Sequence, residues 1–245
     1  MKILCVSDQI DPLVYSAKVK ERFKDIDLIL CAGDLPSDYI DFIVSSLNKP
    51  TYFIFGNHNL EDFPLYHKVP LAQGAHPTFT EEIANYDMRG RHGADYAGFR
   101  VIEDKRLVVS GKKKNRPLLI AGVSGSKRYN KGLCQYTESQ MRRKLFALYP
   151  RLLWNKIRYG EYLDIFLTHA SPRKIHDRED PCHIGFECFN SFIQRFSPRF
   201  FVHGHIHLYD MNDKRKTNVK TSQGETTVVN AFSHVVLEFP GRTEN

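Results

Sequence analysis

Short, largely apolar runs, each followed at once by a polar cluster, form the main pattern along this chain. Five runs have this form: Lys2–Val6, Leu28–Ala32, Thr51–Phe55, Leu163–Leu167 and Phe201–Val202. The clusters that follow them are Ser7-Asp8, Gly33-Asp34, Gly56-Asn57-His58, Thr168-His169 and Gly204-His205. Short apolar runs between turn residues predict buried strands, and open α/β sheets bind ligands at the carboxyl ends of their strands. The pattern therefore predicts five strand ends that meet at one site.

Helical spacing of apolar residues occurs in the segments between and after these runs. It predicts helices over Tyr15–Phe23, Tyr39–Leu47, Glu138–Leu148 and Phe186–Phe196, and Pro36-Ser37-Asp38 is a cap signal for the second. The chain thus opens as β-α-β-α-β. Crossovers of this kind make parallel pairs, so we expect the first three strands to lie side by side.

The later segments predict further strands. Phe99–Val109 and Leu118–Val123 are interpreted as a hairpin across a basic tip, whereas residues 60–98 carry scattered Pro, Gly and His and predict an irregular stretch over the site. In the tail, Leu208–Met211, Thr226–Asn230 and Val235–Phe239 predict antiparallel strands that finish a second sheet.

Length and composition favour a single domain. A chain of 245 residues with 42% hydrophobic content can bury a sizeable core, and this length suits one α/β domain, residues 1–245, better than two. No run approaches the ~18–20 apolar residues that a membrane helix needs, and the first residues predict a strand rather than a secretory leader. We therefore expect a soluble, cytoplasmic protein with no membrane partner. The five cysteines, an odd number without zinc-ribbon spacing, are expected to be reduced thiols.

The formal net charge of +7 suits an anionic substrate but does not choose among nucleotides, other phosphate esters and nucleic acids. Much of the excess lies in residues 112–116 and 214–216, between strand-like segments. Solvated loop tips explain both clusters better than a nucleic-acid surface does, because no aromatic residues alternate with the charges as base stacking requires.

Residues of metal-ligand type follow the predicted strands. Side chains two apart on extended backbone point to the same face, so His205 and His207 can approach metal ions from one edge. The full set of candidate ligands is Asp8, Asp34, Asn57, His169, His205 and His207. Each alone is more commonly a turn or hydrogen-bonding residue, and only their joint occurrence at strand ends favours a metal centre. Oxygen and imidazole donors without thiolates favour an open catalytic site for one or two divalent ions such as Mn²⁺, Fe²⁺, Zn²⁺, Co²⁺ or Ni²⁺.

These blocks resemble the calcineurin-like metallophosphoesterase family, whose pattern is Asp-x-His, Gly-Asp, Gly-Asn-His-(Asp/Glu), a lone His after a strand, and Gly-His-x-His. Four of the five blocks occur here in the family order between Asp8 and His207. In the first block Ile10 stands where the family has His, and in the third Asn59 replaces the acidic residue. The resemblance implies an α/β fold, a four-layer α/β/β/α sandwich of two mixed sheets flanked by helices.

The resemblance also implies roles for these residues. Asp34 would bridge two ions, and the remaining ligands would divide into one site with Asn57, His169 and His205 and another with Asp8 and His207. A metal-bound hydroxide would attack a phosphodiester or phosphomonoester, with a diester slightly favoured. His58 would protonate the leaving oxygen or stabilise charge on the phosphate oxygens. Because the isoleucine at position 10 cannot coordinate metal, the Asp8 site is expected to be weak, or empty without substrate.

Three further residues are candidates for substrate binding. His176 and His183 lie in residues 170–185, which start beside a predicted ligand, and they could orient substrate or hydrogen-bond to ligand imidazoles. A solvated charged loop explains that segment equally well. Arg128 follows a predicted strand, where a guanidinium would suit a substrate phosphate.

Two other functions stay open beside a phosphoesterase. A non-catalytic binding or scaffold protein that keeps the fold, as the family's retromer subunit does, is supported by Ile10 and opposed by the otherwise complete ligand set. A nuclease would act on DNA or RNA with steep salt dependence, which the basic clusters alone do not establish. We expect a phosphate-ester substrate, with a small molecule or nucleotide favoured and nucleic acid left open. The sequence does not predict the oligomeric state.

Overall fold

Two mixed β-sheets face each other in the computed structural model, which describes residues 1–67, 93–111, 115–210 and 212–239. The strands are β1 Lys2–Ser7, β2 Leu28–Cys31, β3 Thr51–Phe53, β4 Asp95–Tyr96, β5 Arg100–Val109, β6 Arg116–Val123, β7 Ser126–Lys127, β8 Gln135–Tyr136, β9 Ile165–Thr168, β10 Phe200–His203, β11 Lys216–Thr221, β12 Gly224–Asn230 and β13 Ser233–Glu238. The helices are α1 Val19–Arg22, α2 Ser37–Leu47, α3 Phe63–Tyr66, α4 Glu138–Tyr159 and α5 Glu187–Phe196.

The strand order brings the ends of the predicted strands to common edges. The first sheet has the order β13-β1-β2-β3-β4 and the second the order β11-β12-β10-β9-β6-β5, while β7 and β8 form a separate pair. As predicted, β1, β2 and β3 pair in parallel. In the second sheet β6, β9, β10 and β12 are also parallel. Their carboxyl ends therefore collect at one edge of each sheet, which is where α/β proteins bind ligands.

Side chains sort into three buried clusters that define the layers. One cluster fills the space between the sheets, a second joins the first sheet to α1 and α2, and a third joins the second sheet to α4 and α5. Ile3 and Ile165 belong to the first cluster, whereas their strand neighbours Leu4 and Phe166 belong to the outer ones, as the alternation of side chains in strands requires. This arrangement confirms the predicted α/β/β/α sandwich. That residues 1–245 form one domain stays a prediction.

The helices differ from prediction at two places. Over Tyr15–Phe23 only the single turn of α1 is helical. Upstream of it the Asp11 carboxylate accepts hydrogen bonds from the backbone N–H groups of Leu13 and Val14, and such local bonds compete with helix formation. By contrast, α4 continues past Leu148 to Tyr159 with Pro150 in its interior. The start of α4 is fixed by a capping box, in which Thr137 and Gln140 bond reciprocally.

The tail strands also differ from prediction. Leu208, Tyr209 and Asp210 are not in a strand, and Met211 lies outside the described residues. β11 instead pairs antiparallel with β12, and the sequence analysis missed it because its partly exposed side chains are mostly polar. β12 is parallel to β10, and β13 pairs antiparallel with β1 in the first sheet, so the prediction of three antiparallel strands in the second sheet is wrong.

The middle of the chain contains the predicted hairpin, formed by β5 and β6. Its tip residues 112–114, and residues 68–92 of the stretch predicted to be irregular, lie outside the described residues. The described parts of that stretch contain α3 and β4. All five cysteines are free. Among the described residues, no helix combines the length and the apolar character needed to cross a bilayer.

Candidate metal centre

The segments that follow β1, β2, β3, β9 and β10 lie together where the two sheets meet. His169 Nε2, after β9, is 3.2 Å from Asp34 Oδ2, after β2. The same nitrogen is 3.2 Å from Oδ1 of Asn57, beyond β3. After β10, the backbone N–H of His205 donates to both carboxylate oxygens of Asp8 at 3.0 and 2.9 Å. The structure therefore brings all five strand ends to one place.

The backbone turns sharply at three of these positions. Asp8, Asp34 and His205 have φ angles of 64°, 54° and 67°, in the left-handed region that residues other than glycine seldom adopt. Each such residue costs about 1–3 kcal/mol and persists only where surrounding contacts fix it, which happens most often at functional sites. All three turns lie just after a strand, at the residues whose side chains or backbone meet in this centre.

Two glycines let the ligand side chains approach one another. A Cβ atom added at Gly56 would lie 2.1 Å from Asp34 Oδ1 and 2.6 Å from His169 Cε1. At Gly33, where φ is +95°, a Cβ atom would lie 2.6 Å from His169 Nδ1. Because real Cβ atoms do not come this close to other atoms, glycine is required at both positions for the observed packing.

Three acceptor atoms face a common point. His169 Nδ1 lies 2.9 Å from the Ala32 carbonyl oxygen, which can only accept, so Nδ1 carries a proton and Nε2 of the neutral ring presents a lone pair. That lone pair faces Asp34 Oδ2 and Asn57 Oδ1. The Asn57 amide donates from Nδ2 to the Tyr129 hydroxyl at 3.2 Å, which orients its oxygen inward. When His169 is neutral, no hydrogen-bond donor on these three groups is directed at the point between them.

Acceptors arranged in this way need a cation. A proton on His169 is one solution: burial opposes it, but the Asp34 carboxylate outweighs burial and raises the pKa of His169 to about 9. A divalent ion is the other, since separations of 3.2 Å suit neighbouring ligands about 2.0–2.2 Å from one ion. Burial opposes the charge of Asp34 too, yet His169 holds the pKa of Asp34 below its ordinary range. The residues present fit a divalent ion.

His205 offers a fourth atom that could bind a metal ion. One donor atom from each of Asp34, His169 and His205, all three buried, lies within 4.8 Å of the others. His205 Nε2 donates to the Cys182 carbonyl oxygen at 2.7 Å, which leaves Nδ1 with a lone pair. Burial, and then the charge of His169, lower the pKa of His205 to about 3, so its ring is neutral near pH 7. We name the group of Asp34, Asn57, His169 and His205 the inner cluster.

Asp8 and His207 form a looser pair beside the inner cluster. His207 Nε2 is 3.8 Å from Asp8 Oδ1, and His207 Nδ1 is 3.0 Å from the Tyr209 hydroxyl. The Asp8 carboxyl is almost fully buried, and this burial raises its pKa, whereas the His207 side chain is 41% exposed. Both carboxylate oxygens of Asp8 already accept from His205. This pair could hold a second ion only with further ligands.

Ile10 and Asp11, which follow Asp8 in the chain, do not supply those ligands. Ile10 is 45% exposed and offers no donor atom. Asp11 is turned away, because its carboxylate is hydrogen-bonded to Ser233 and His234 on β13. The departure from the family pattern at position 10 is therefore not compensated by the next acidic residue.

His58 and His183 lie at the edge of the inner cluster. The backbone N–H of His58 donates to Asp34 Oδ1 at 2.7 Å, and its side chain is exposed. The His183 ring centroid is 5.2 Å from that of His205, and His183 Nδ1 is 2.7 Å from Asp180 Oδ1. Both imidazoles are thus positioned where a substrate could reach them. The roles predicted for them stay predictions.

His176 and Arg128 lie farther from the inner cluster. His176 Nδ1 is 2.9 Å from His203 Nε2, and His176 Nε2 is 2.9 Å from the Thr217 hydroxyl, so the ring is held behind the loop that carries His205. The Arg128 guanidinium donates to the Gln135 carbonyl and the Gln140 side chain, both at 3.2 Å. Substrate binding by His176 and Arg128 stays a prediction that these contacts do not favour.

The structure also shows two groups that orient candidate ligands and that the sequence does not predict. Tyr129, the neighbour of Arg128, orients Asn57 through its hydroxyl, and the backbone carbonyl of Cys182 orients His205. Neither has a signal in the sequence, because each acts through a contact between distant segments. His203 is buried, and both of its ring nitrogens have partners. Its Nε2 contacts His176, and its Nδ1 is 2.8 Å from the Gly204 carbonyl oxygen.

Gly204→Ala is expected to disrupt the centre. A Cβ atom at position 204 would lie 1.9 Å from Ser7 Oγ and 2.5 Å from Asp8 Oδ2, which forces apart β1 and the loop that carries His205. We expect metal affinity to fall about 10- to 100-fold, the usual effect of displacing groups that orient ligands. Titration calorimetry measures this. Gly160→Ala is the control, because a Cβ atom there has no other heavy atom within 4 Å and any strain from its φ of +79° stays at the end of α4. Unchanged affinity in Gly204→Ala would contradict the geometry.

The fold and the site define a four-layer α/β protein with a candidate metal centre at the carboxyl ends of its strands. The family model for calcineurin-like phosphoesterases matches residues 1–209. This match covers most of the chain and shows that the chain belongs to the calcineurin-like phosphoesterase family, which confirms the resemblance.

Solved structures agree with this fold. TT1561 of Thermus thermophilus is 17% identical, with a TM-score of 0.52 over 93% of this chain and 88% of that one. A second structure is 13% identical, with a TM-score of 0.55 over 96% of this chain and 94% of that one. At these identities the likeness shows the fold alone. No curated protein matches the chain significantly.

Proposed function

We propose that this chain is a metal-dependent phosphoester hydrolase that acts at the inner cluster. The observation that carries the proposal is the set of inward-facing acceptors, Asp34 Oδ2, Asn57 Oδ1 and His169 Nε2, with His205 beside them. Family membership supports the same chemistry. A divalent ion bound there would polarise a phosphoryl oxygen and lower the pKa of a coordinated water.

The chain's own residues would hold and orient the reactants. Asp34, Asn57, His169 and His205 would bind the ion, and their own hydrogen bonds to Tyr129, Ala32 and Cys182 keep the donor atoms pointed inward. His58, exposed directly after Asn57, would donate a proton to the leaving oxygen. His183, held by Asp180 beside His205, would contact the phosphate oxygens.

We propose that the substrate is a small phosphodiester or a nucleotide and that Mn²⁺ is a suitable ion. The formal charge of +7 supports an anionic substrate, and oxygen and imidazole donors suit Mn²⁺ among other divalent ions. A cytoplasmic location is part of the proposal, because all five cysteines are free.

Ile10→His is expected to strengthen the second site. The wild-type protein should hold one ion tightly at the inner cluster, because the Asp8–His207 pair lacks a donor at position 10. The variant adds an imidazole two residues from Asp8 and should raise the tightly bound metal from one ion per chain toward two, measured by elemental analysis after dialysis. Leu13→His, at a position of similar exposure in the same loop, is the control. Two tightly held ions in the wild-type protein would contradict this account.

A non-catalytic binding role is the second candidate, and the uncompensated gap at Ile10 favours it. The test is Mn²⁺-dependent hydrolysis of bis-p-nitrophenyl phosphate beside p-nitrophenyl phosphate, with His205→Ala as the control for contaminating activity. Turnover that His205→Ala abolishes supports the hydrolase and reveals its ester preference. Absence of turnover with Mn²⁺, Zn²⁺, Co²⁺ and Ni²⁺ would favour the binding role.

A further inference from the structure

Helix α4 has two apolar faces, and only one of them is used by the fold. Its buried face consists of Met141, Leu145, Leu148 and Leu152, which pack in the outer cluster of the second sheet. A second apolar set lies on the opposite side, toward solvent: Phe146, Pro150, Leu153, Trp154 and Ile157. This spacing of i, i+4, i+7, i+8 and i+11 places the five residues in one stripe about 16 Å long. We name it the outer stripe.

The side chains of the outer stripe project strongly from the surface. Ile157 is 79% exposed and Phe146 is 69% exposed, while Leu153 and Trp154 are each about half exposed. Single exposed apolar residues are ordinary, but a continuous row of large ones indicates a binding surface. The row lies on a helix whose other face is fully packed, so it contributes nothing to the described core.

Exposed arginines lie on α4 beside the outer stripe. α4 carries six basic residues, Arg142, Arg143, Lys144, Arg151, Lys156 and Arg158, and one acidic residue, Glu138. The Glu138 carboxylate already accepts from the backbone N–H groups of Glu187 and Cys188. Arg142, Arg143 and Arg158 are exposed and have no carboxylate within ion-pair distance among the described residues. The partner of this face must therefore be both apolar and anionic.

We propose that the outer stripe docks the protein on an anionic lipid surface. Trp, Phe, Leu and Ile bordered by arginines is the composition of helices that lie in the membrane interface. The arginines would pair with lipid phosphates while the apolar side chains enter the acyl boundary. Acyl chains conform around projecting side chains, whereas a rigid protein would need a matching pit for each of them.

A second copy of the chain fits this face less well. Two stripes in contact would bring the basic residues of both helices together, with no free acidic residue of α4 to pair them.

The expectation of no membrane partner rests on the absence of a long apolar run in the sequence. Peripheral docking leaves no such run, because it uses one face of a single helix.

Trp154 is the only tryptophan of the chain and reports directly on this contact. The experiment adds vesicles of phosphatidylcholine alone, or with an equal part of phosphatidylserine, and follows Trp154 emission and co-sedimentation. We expect a shift to shorter wavelength and co-sedimentation with the anionic vesicles, both weakened by salt. Quenching of Trp154 by brominated lipid in the wild-type protein tests insertion without any variant.

Variants separate the two parts of the surface. Phe146→Glu with Ile157→Glu should reduce vesicle binding at least about tenfold. Arg142→Gln with Arg143→Gln should reduce it about fivefold for each arginine. Val108→Glu, at an exposed apolar position on β5, is the control and should bind as the wild type does. Circular dichroism and phosphoester hydrolysis verify the fold of each variant.

Three results would overturn the proposal. The first is failure of the wild-type protein to bind anionic vesicles. The second is equal binding to neutral vesicles, which would remove the role of the arginines. The third is a dimer in light scattering that Phe146→Glu with Ile157→Glu converts to monomer, which would assign the outer stripe to a second copy of the chain.

Discussion

His169→Ala is expected to abolish divalent-metal binding and phosphoester hydrolysis together. His169 joins the two sheets at the centre, since its Nε2 lies 3.2 Å from both Asp34 Oδ2 and Asn57 Oδ1. Its loss removes one of the proposed ligands and leaves the Asp34 carboxylate without its nearest partner side chain. A bound ion supplies several kcal/mol of transition-state stabilisation, so we expect turnover to fall at least about a thousandfold.

Titration calorimetry and the hydrolysis of p-nitrophenyl esters measure the two effects, and circular dichroism verifies the fold. His67→Ala is the control, because the partly buried His67 ring bonds to the Tyr96 hydroxyl, apart from the inner cluster. His67→Ala should keep metal affinity and turnover. Retention of metal binding or turnover by His169→Ala would contradict the role given to the inner cluster.

Asp164→Ala is expected to cause the largest loss of stability. Asp164, just before β9, accepts from two guanidinium nitrogens of Arg116 at 2.6 and 2.7 Å and from the backbone N–H of Leu119 at 2.9 Å. Both charged side chains are about 95% buried. Removal of the carboxylate leaves the Arg116 charge buried without a partner, which costs about 3–5 kcal/mol in free energy of unfolding.

Urea unfolding at neutral pH measures this loss. Asp25→Ala is the control, because the Lys2–Asp25 pair is exposed on both sides, and its removal should cost at most about 1 kcal/mol. If Asp164→Ala lost as little free energy of unfolding as Asp25→Ala, Arg116 would not need its buried partner and this prediction would be wrong.

The strand ends could be predicted from the sequence because each is marked locally. An apolar run followed at once by Asp34 or His169 marks both the buried strand and the residue that follows its carboxyl end. Helix α5 has an equally local signal in its apolar spacing. What lies on one strand and its first turn is therefore accessible to sequence reasoning.

The features of the fold and the site that the sequence does not predict depend on contacts between distant segments. β13 joins β1 through pairs such as Ser7 with Ser233, and no local pattern decides which sheet it enters. The position of His176 is another example, because its segment starts at His169 but the ring lies away from the inner cluster. The left-handed backbone of Lys174 and His176, with φ angles of 65° and 63°, turns the chain so that His176 meets His203 instead.

The function of Tyr129 was also hidden from the sequence. Its hydroxyl contacts Asn57 from 72 positions away and decides which way the amide faces. The strained turns at Asp8, Asp34 and His205 were hidden too, since none of these residues is glycine and the sequence gives no sign of a left-handed conformation there.

The most direct test of the metal centre is a titration of metal-free protein with Mn²⁺ that follows bound metal and bis-p-nitrophenyl phosphate hydrolysis in the same samples. We predict that turnover rises with the first bound ion, saturates with it and disappears on addition of chelator, and that His205→Ala shows neither binding nor turnover. Tight binding by the wild-type protein without hydrolysis of a diester or monoester would contradict the proposed activity. Absence of binding would contradict the metal centre itself.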